Sequence, residues 1–197
     1  MRRPSVYVGW DEIKERQVKS HGDGGAHQFV APAMAFKGSG RVLQWDLYAA
    51  KTGTLIMQVT SSPNHLCRAP MRRSHVLRSC PLRLREQVWR KQESATSTYQ
   101  LICENKVTAR ATNKVTTEEV TSAEQCIVRA NDVIGWYHDS DGDILWYTSH
   151  SQKDEHQDDL VLWRKGVHPG VEGVYQFGRS KDHAYREYSV RAKVQYF

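Results

Sequence analysis

The chain has 197 residues, 39% of them apolar and 10% aromatic, enough to fill the core of one sizeable domain. Its formal net charge is +6, but residues 59–87 hold six Arg against one Glu, so the remainder carries only +1. That local excess argues against a nucleic-acid partner, whose recognition needs a basic footprint spread over a face. There is no apolar run of about 18 residues, so no membrane-inserted helix is expected. The opening MRRPSVYVGW has no apolar stretch of signal-peptide length.

Residues 1–27 read as a polar N-terminal extension or linker, and residues 28–197 as the domain. Within the extension, Asp11 to Val18 has the composition for a turn or two of helix, and HGDGGAH at 21–27 has that of a flexible boundary. A β pattern begins at Phe29. Gly38-Ser39-Gly40 is a turn, after which alternation over Val42 to Tyr48 places Leu43, Trp45 and Leu47 on one face. A second turn, AAKTG at 49–53, leads into a strand over Thr54 to Gln58 with Leu55 and Met57 on one side.

Residues 59–87 interrupt this pattern with an irregular basic insertion that has no period of two and holds three Pro. Joined across it, Gln58 and Val88 give GTLIMQVWRK, which reads as one continuous strand. Every Val codon begins GT and one Gln codon ends in AG, so Val59 and Gln87 fit the ends of an unspliced intron. The competing reading is a basic surface loop, although structureless loops beyond ~12–15 residues are uncommon.

Strand signals resume at Tyr99 to Val107, Val115 to Val120 and Cys126 to Val128. The stretch CIVRANDVIGWYHDSDGDILWY, residues 126–147, contains two apolar-aromatic runs separated by His138 to Asp143. Asp141-Gly142 predicts a hairpin turn between them, with Tyr137 opposite Trp146 and Trp136 opposite Tyr147. Such aromatic pairs contribute roughly 0.2–1 kcal/mol each. Further strands are predicted at Leu160 to Trp163 and Val174 to Phe177. In the last one, Tyr188, Val190, Ala192, Val194 and Tyr196 alternate with polar residues. About eight short strands with turn signals between them predict an all-β fold: an antiparallel β-sandwich, jelly-roll-like, with almost no helix.

The order LQWDLYAAKTGTLIMQ, VWRK, YQLICENKV, QCIVRANDVIGWY and YSVRAKV resembles an extracellular β-sandwich module of large animal surface and matrix proteins and of some bacterial secreted proteins. The resemblance covers roughly residues 29–58 and 88–197 and brings no catalytic motif. It implies that Arg129 to Gly135 forms a turn into a core strand. It also implies an extracellular or secreted location and an adhesion or recognition role within a larger protein.

Under that implication, Cys103 and Cys126, each in a strand-like run, would form a disulfide between neighbouring strands; inside the cell they would be buried thiols. Asp139, Asp141 and Asp143 could bind calcium if the acidic loop at 149–159 folds over them, although the spacing is not that of an EF-hand. The same residues also suit a plain turn. Trp136, Tyr137, Trp146 and Tyr147 place aromatics on both faces of the predicted hairpin, one face for the core and the other for a core neighbour or a ligand. No GxSxG elbow, HExxH pair or Gly-rich phosphate loop occurs, so no enzyme is expected. The expectation is a non-catalytic extracellular binding or adhesion module with a protein or glycan ligand. The alternative is a carbohydrate-binding or polysaccharide-acting domain that uses the aromatic segment 133–147.

Overall fold

The computed structural model describes residues 4–16, 26–61, 98–138, 144–149, 160–166, 173–179 and 185–197. These hold thirteen strands and no helix. They are β1 (Ser5–Gly9), β2 (His27–Ala35), β3 (Gly40–Ala49), β4 (Gly53–Ser61), β5 (Thr98–Ala109), β6 (Lys114–Glu119) and β7 (Ile127–Val128). After these come β8 (Val133–His138), β9 (Tyr147–Ser149), β10 (Leu162–Lys165), β11 (Val174–Gln176), β12 (Arg186–Tyr188) and β13 (Val190–Tyr196). A five-stranded sheet runs β1-β13-β3-β6, with β7 also on β3; a six-stranded sheet runs β10-β2-β8-β4-β5-β11; β12 and β9 form a pair. Every pairing is antiparallel. The fold is therefore the expected all-β sandwich, with more strands than the sequence pattern separates.

One core joins the two large sheets. The five-stranded sheet contributes Val42, Trp45, Leu47, Val190, Ala192 and Val194, and the six-stranded sheet contributes Phe29, Leu55, Met57, Val107, Ile134 and Trp136. In β13 the predicted alternation holds, since Val190, Ala192 and Val194 are all buried. In β3 it holds from Trp45 onward and fails at Leu43. Lys193 faces Gln44 and Val194 faces Val42, so Leu43 is the extra residue of a bulge. A bulge shifts parity by one, and Val42 rather than Leu43 enters the core.

The predicted central hairpin does not form. Trp136 on β8 faces Phe29 on β2 and Met57 on β4, and Tyr137 faces Gln28 and Ile56. With both edges of β8 occupied, no edge remains for residues 144–147. Those residues lie against the end of β3 instead, where Trp146 N–H donates to Tyr48 O (3.1 Å) and Leu145 bridges to Ala49. Residues 144–147 thus lie beside the five-stranded sheet rather than opposite β8, and Asp141-Gly142 itself lies outside the described residues.

Leading into β8 is the turn over Arg129 to Asp132. The Asp132 carboxylate accepts the Arg129 backbone N–H (2.7 Å), and Asn131 adopts a φ of 70°. Asn tolerates that conformation better than most side-chain-bearing residues. Phe36 and the turn then exchange backbone bonds, Phe36 N–H to Asp132 O (2.8 Å) and Asn131 N–H to Phe36 O (2.9 Å).

The N-terminal segment is not wholly an extension or linker. Ser5–Gly9 pairs with Arg191–Gln195 as the outer strand of the five-stranded sheet. Residues 11–16 are irregular rather than helical. Polar contacts hold them: the Arg16 guanidinium meets Glu187 (2.5 Å) and donates to Ser189 Oγ (2.7 Å), and that hydroxyl donates to Lys14 O (2.7 Å). Side-chain contacts of this kind leave no periodicity in the sequence. At the other expected break, Val59, Thr60 and Ser61 continue β4, paired with Cys103, Leu101 and Gln100. The rest of the 59–87 insertion lies outside the described residues.

A disulfide joins Cys103 and Cys126, with Cα atoms 5.6 Å apart. It links the two sheets rather than neighbouring strands of one. Cys103 lies in β5 of the six-stranded sheet, and Cys126 precedes β7, where its carbonyl accepts the Val42 N–H (2.9 Å) of the five-stranded sheet. Beside it, the buried Asn105 Oδ1 accepts from Trp45 Nε1 (2.9 Å) and Asn105 Nδ2 donates to Glu124 O (2.9 Å).

Two stability predictions follow from this packing. In Asn105→Ala the buried Trp45 N–H loses its acceptor, which should cost about 1–3 kcal/mol in chemical denaturation; an unchanged midpoint would show that the bond contributes nothing. A Cβ at Gly135 would lie 2.6 Å from Phe29 O, against backbone that cannot step aside. Gly135→Ala should therefore lose about 1–3 kcal/mol by overpacking, read as a lower thermal midpoint.

Candidate functional site

The aromatic residues singled out in the sequence do not form one surface. Trp136 stacks on Phe29 (5.3 Å between centroids) and tilts against Tyr188 (4.8 Å), which also meets Tyr147 (5.2 Å). Trp136 and Tyr147 are core residues. Tyr137 is buried on the opposite face of β8. These three rings are buried, and of the four candidates only Trp146 is half-buried. The physical reason is the interior place of β8: pairing on both edges removes the hairpin, and cover on both faces buries its rings. Asp139, Asp141 and Asp143 lie outside the described residues. Among the described residues, no group of three or more His, Cys, Asp or Glu is placed to hold a metal ion.

Trp146 points away from the core because its neighbours Leu145 and Tyr147 point into it. Its ring meets Tyr48 edge-on at 6.2 Å. Both polar tips are tied to backbone carbonyls: Trp146 Nε1 donates to Ala49 O (3.2 Å) and Tyr48 OH to Asn113 O (2.8 Å). Fixing the tips immobilises the rings and reduces the side-chain entropy that a ligand contact would otherwise have to overcome. Opposite Tyr48 on β6 stands Val115, which is 50% exposed. Together they make an apolar patch on the outer face of the five-stranded sheet.

A polar cluster fixes the middle of the same face. The register aligns Gly9, Arg191, Asp46 and Thr117 across four strands. Asp46 is almost fully buried although it points outward. Its carboxylate accepts from Gln44 Nε2 (2.6 Å), Thr117 Oγ1 (3.0 Å) and Arg191 Nε (3.0 Å). Arg191 also donates to Asp11 O (2.6 Å), and its guanidinium lies 3.9 Å from the centre of the Tyr7 ring. A charge pair with its hydrogen-bonding capacity filled in this way mainly sets geometry. Here it ties β1, β13, β3 and β6 into one rigid surface, flanked by Tyr7 at one side and the Tyr48–Trp146–Val115 patch at the other.

The sequence shows Trp146 as a candidate but gives Tyr48, Val115 and Tyr7 no role. The available signal was parity: the alternation that puts Trp45 and Leu47 in the core puts Gln44, Asp46 and Tyr48 on the outer face of β3. A separate groove of about 360 Å³ lies between β5 and β6, lined by Ile56, Glu104, Lys106, Glu119, Val120 and Glu124 among others. Its carboxylates favour cations by charge, but they are not grouped as a metal site.

Comparison with protein-family models, with curated proteins and with solved structures returns no match. No helix among the described residues is long and apolar enough to cross a membrane.

Proposed function

We propose that this chain is a non-catalytic extracellular binding or adhesion module, and that it engages a protein or glycan ligand through the outer face of the five-stranded sheet. The observation that carries this reading is the Tyr48–Trp146–Val115 patch, with its half-buried rings held by backbone acceptors and Val115 exposed beside them. Rigid aromatic side chains offer large contact area at low entropic cost, which is why they recur at recognition surfaces. The extracellular part of the reading is supported by the Cys103–Cys126 disulfide, since such bonds persist mainly in oxidising compartments. The glycan alternative moves with the patch: a sugar would stack on Trp146 or Tyr48 rather than on Trp136, Tyr137 or Tyr147.

The test is to screen the full chain against a glycan array and a panel of immobilised matrix proteins, with Trp146→Ala and Tyr48→Ala alongside. Loss of a central aromatic anchor typically costs 2 kcal/mol or more, about thirtyfold in affinity. We expect a loss of that order, with each variant still folded at the assay temperature and its thermal midpoint measured alongside. Equal binding by both variants would remove this face as the site. The disulfide has its own test. Cys103→Ser together with Cys126→Ser should lower stability by about 2–4 kcal/mol, and peptide mapping of exported protein should recover the two cysteines linked. Exported protein with both as free thiols would count against the extracellular reading.

A further inference from the structure

Five strands end the two large sheets, and they differ in how they meet solvent; β7, which among the described residues pairs only with β3, is just two residues long. On the five-stranded sheet, β6 carries Lys114, Glu118 and Glu119. On the six-stranded sheet, β10 carries Arg164 and Lys165, while β11 is only three residues long. Charge and brevity are the usual protections of an edge against pairing with another chain. The remaining edge, β1, has neither: its five residues, Ser-Val-Tyr-Val-Gly, are uncharged. Val6 is 41% exposed and Tyr7 45% exposed, although they point to opposite faces of the sheet. Among the described residues no strand pairs with the side of β1 away from β13.

We infer that the outer edge of β1 pairs with β1 of a second copy of this chain, antiparallel, about a two-fold axis at Tyr7. The window for pairing is short and bounded. Pro4 has no N–H to donate, and Gly9 adopts a φ of +117°, which turns the chain out of the strand. A strand with the same limits, its own counterpart, fits that window without overrunning either end. The side chains match as well. Pairing about Tyr7 sets Val6 of each copy opposite Val8 of the other. Val8 is only 8% exposed and belongs to the core, and Val6 lies on the same side of the strand. The exposed Val6 would thus continue the core layer from one copy into the next, and no charge on either strand would be buried. The outer faces of the two sheets would then form one surface carrying two apolar patches.

A pairing of this size is at the small end of protein interfaces, so the dimer should be weak and concentration-dependent. Sedimentation velocity of the full chain from about 1 µM to about 1 mM should show a monomer–dimer equilibrium. Val6→Lys should weaken it at least about tenfold, by the same means that natural edges use against pairing. Val174→Lys, at an equally exposed valine on β11, should leave it unchanged. Tyr7→Cys, placed on the axis, should give a covalent dimer under mild oxidation, and Val174→Cys should not. A purely monomeric chain over the whole range would overturn the inference. So would association that survives Val6→Lys, or that Val174→Lys abolishes equally.

Discussion

The two large sheets depend on one small polar group buried between them. The Asn105 amide accepts from the Trp45 indole, donates to the Glu124 carbonyl, and lies beside the disulfide that joins β5 to the segment before β7. Apolar packing alone is tolerant of sliding, because dispersion contacts are numerous and non-directional. A buried amide with both ends satisfied is not, since displacing either partner leaves a donor or acceptor stranded in low dielectric. Trp45 therefore meets the opposite sheet at one position. The alternation of β3, set in turn by the bulge at Leu43, fixes which residues face outward from there.

The outer face inherits this arrangement. Because Trp45 and Leu47 are committed to the core, Asp46 and Tyr48 are committed to the outside. Asp46 gathers Gln44, Thr117 and Arg191, and through Arg191 reaches the first strand of the chain. The apolar patch at Tyr48 is thus one residue removed from the core contact that orients it. A recognition surface built on a rigid sheet loses little freedom on binding, in contrast to one carried on loops.

Much of the fold is legible in the residue pattern, and the failures share a cause. The strands with clean two-residue alternation, β13 above all, are found where the pattern places them, because each buries one face and wets the other. Local signals do not report which strands are neighbours. Asp141-Gly142 has the chemistry of a tight turn, yet Trp136 pairs with Phe29 and Met57, residues about 80 to 107 positions earlier in the chain. Turn propensity is local and strand pairing is not, so the hairpin and its cross-strand ring pairs fail together. The first strand escapes notice because it is short and at an edge, with a single residue, Val8, committed to the core. Of the candidate site, only Trp146 is visible in the sequence. Tyr48 falls outward by the same alternation that buries Trp45 and Leu47, but its contact with Trp146 shows only in the fold, and Arg191 with Asp46 only once their strands are known to be neighbours.

The pairing of β1 with β13 also fixes how the module would carry load. Ser5 faces Gln195, so the first and last strands run in opposite directions with the chain's two ends leaving the same end of the sheet. Tension applied through those ends opens the ladder one hydrogen bond at a time, as a zipper opens, rather than shearing all of its bonds at once. The first strand would peel at low force, along with its grip on Arg191 through Tyr7. The disulfide between β5 and the segment before β7 lies outside that ladder and would not be loaded by the peeling.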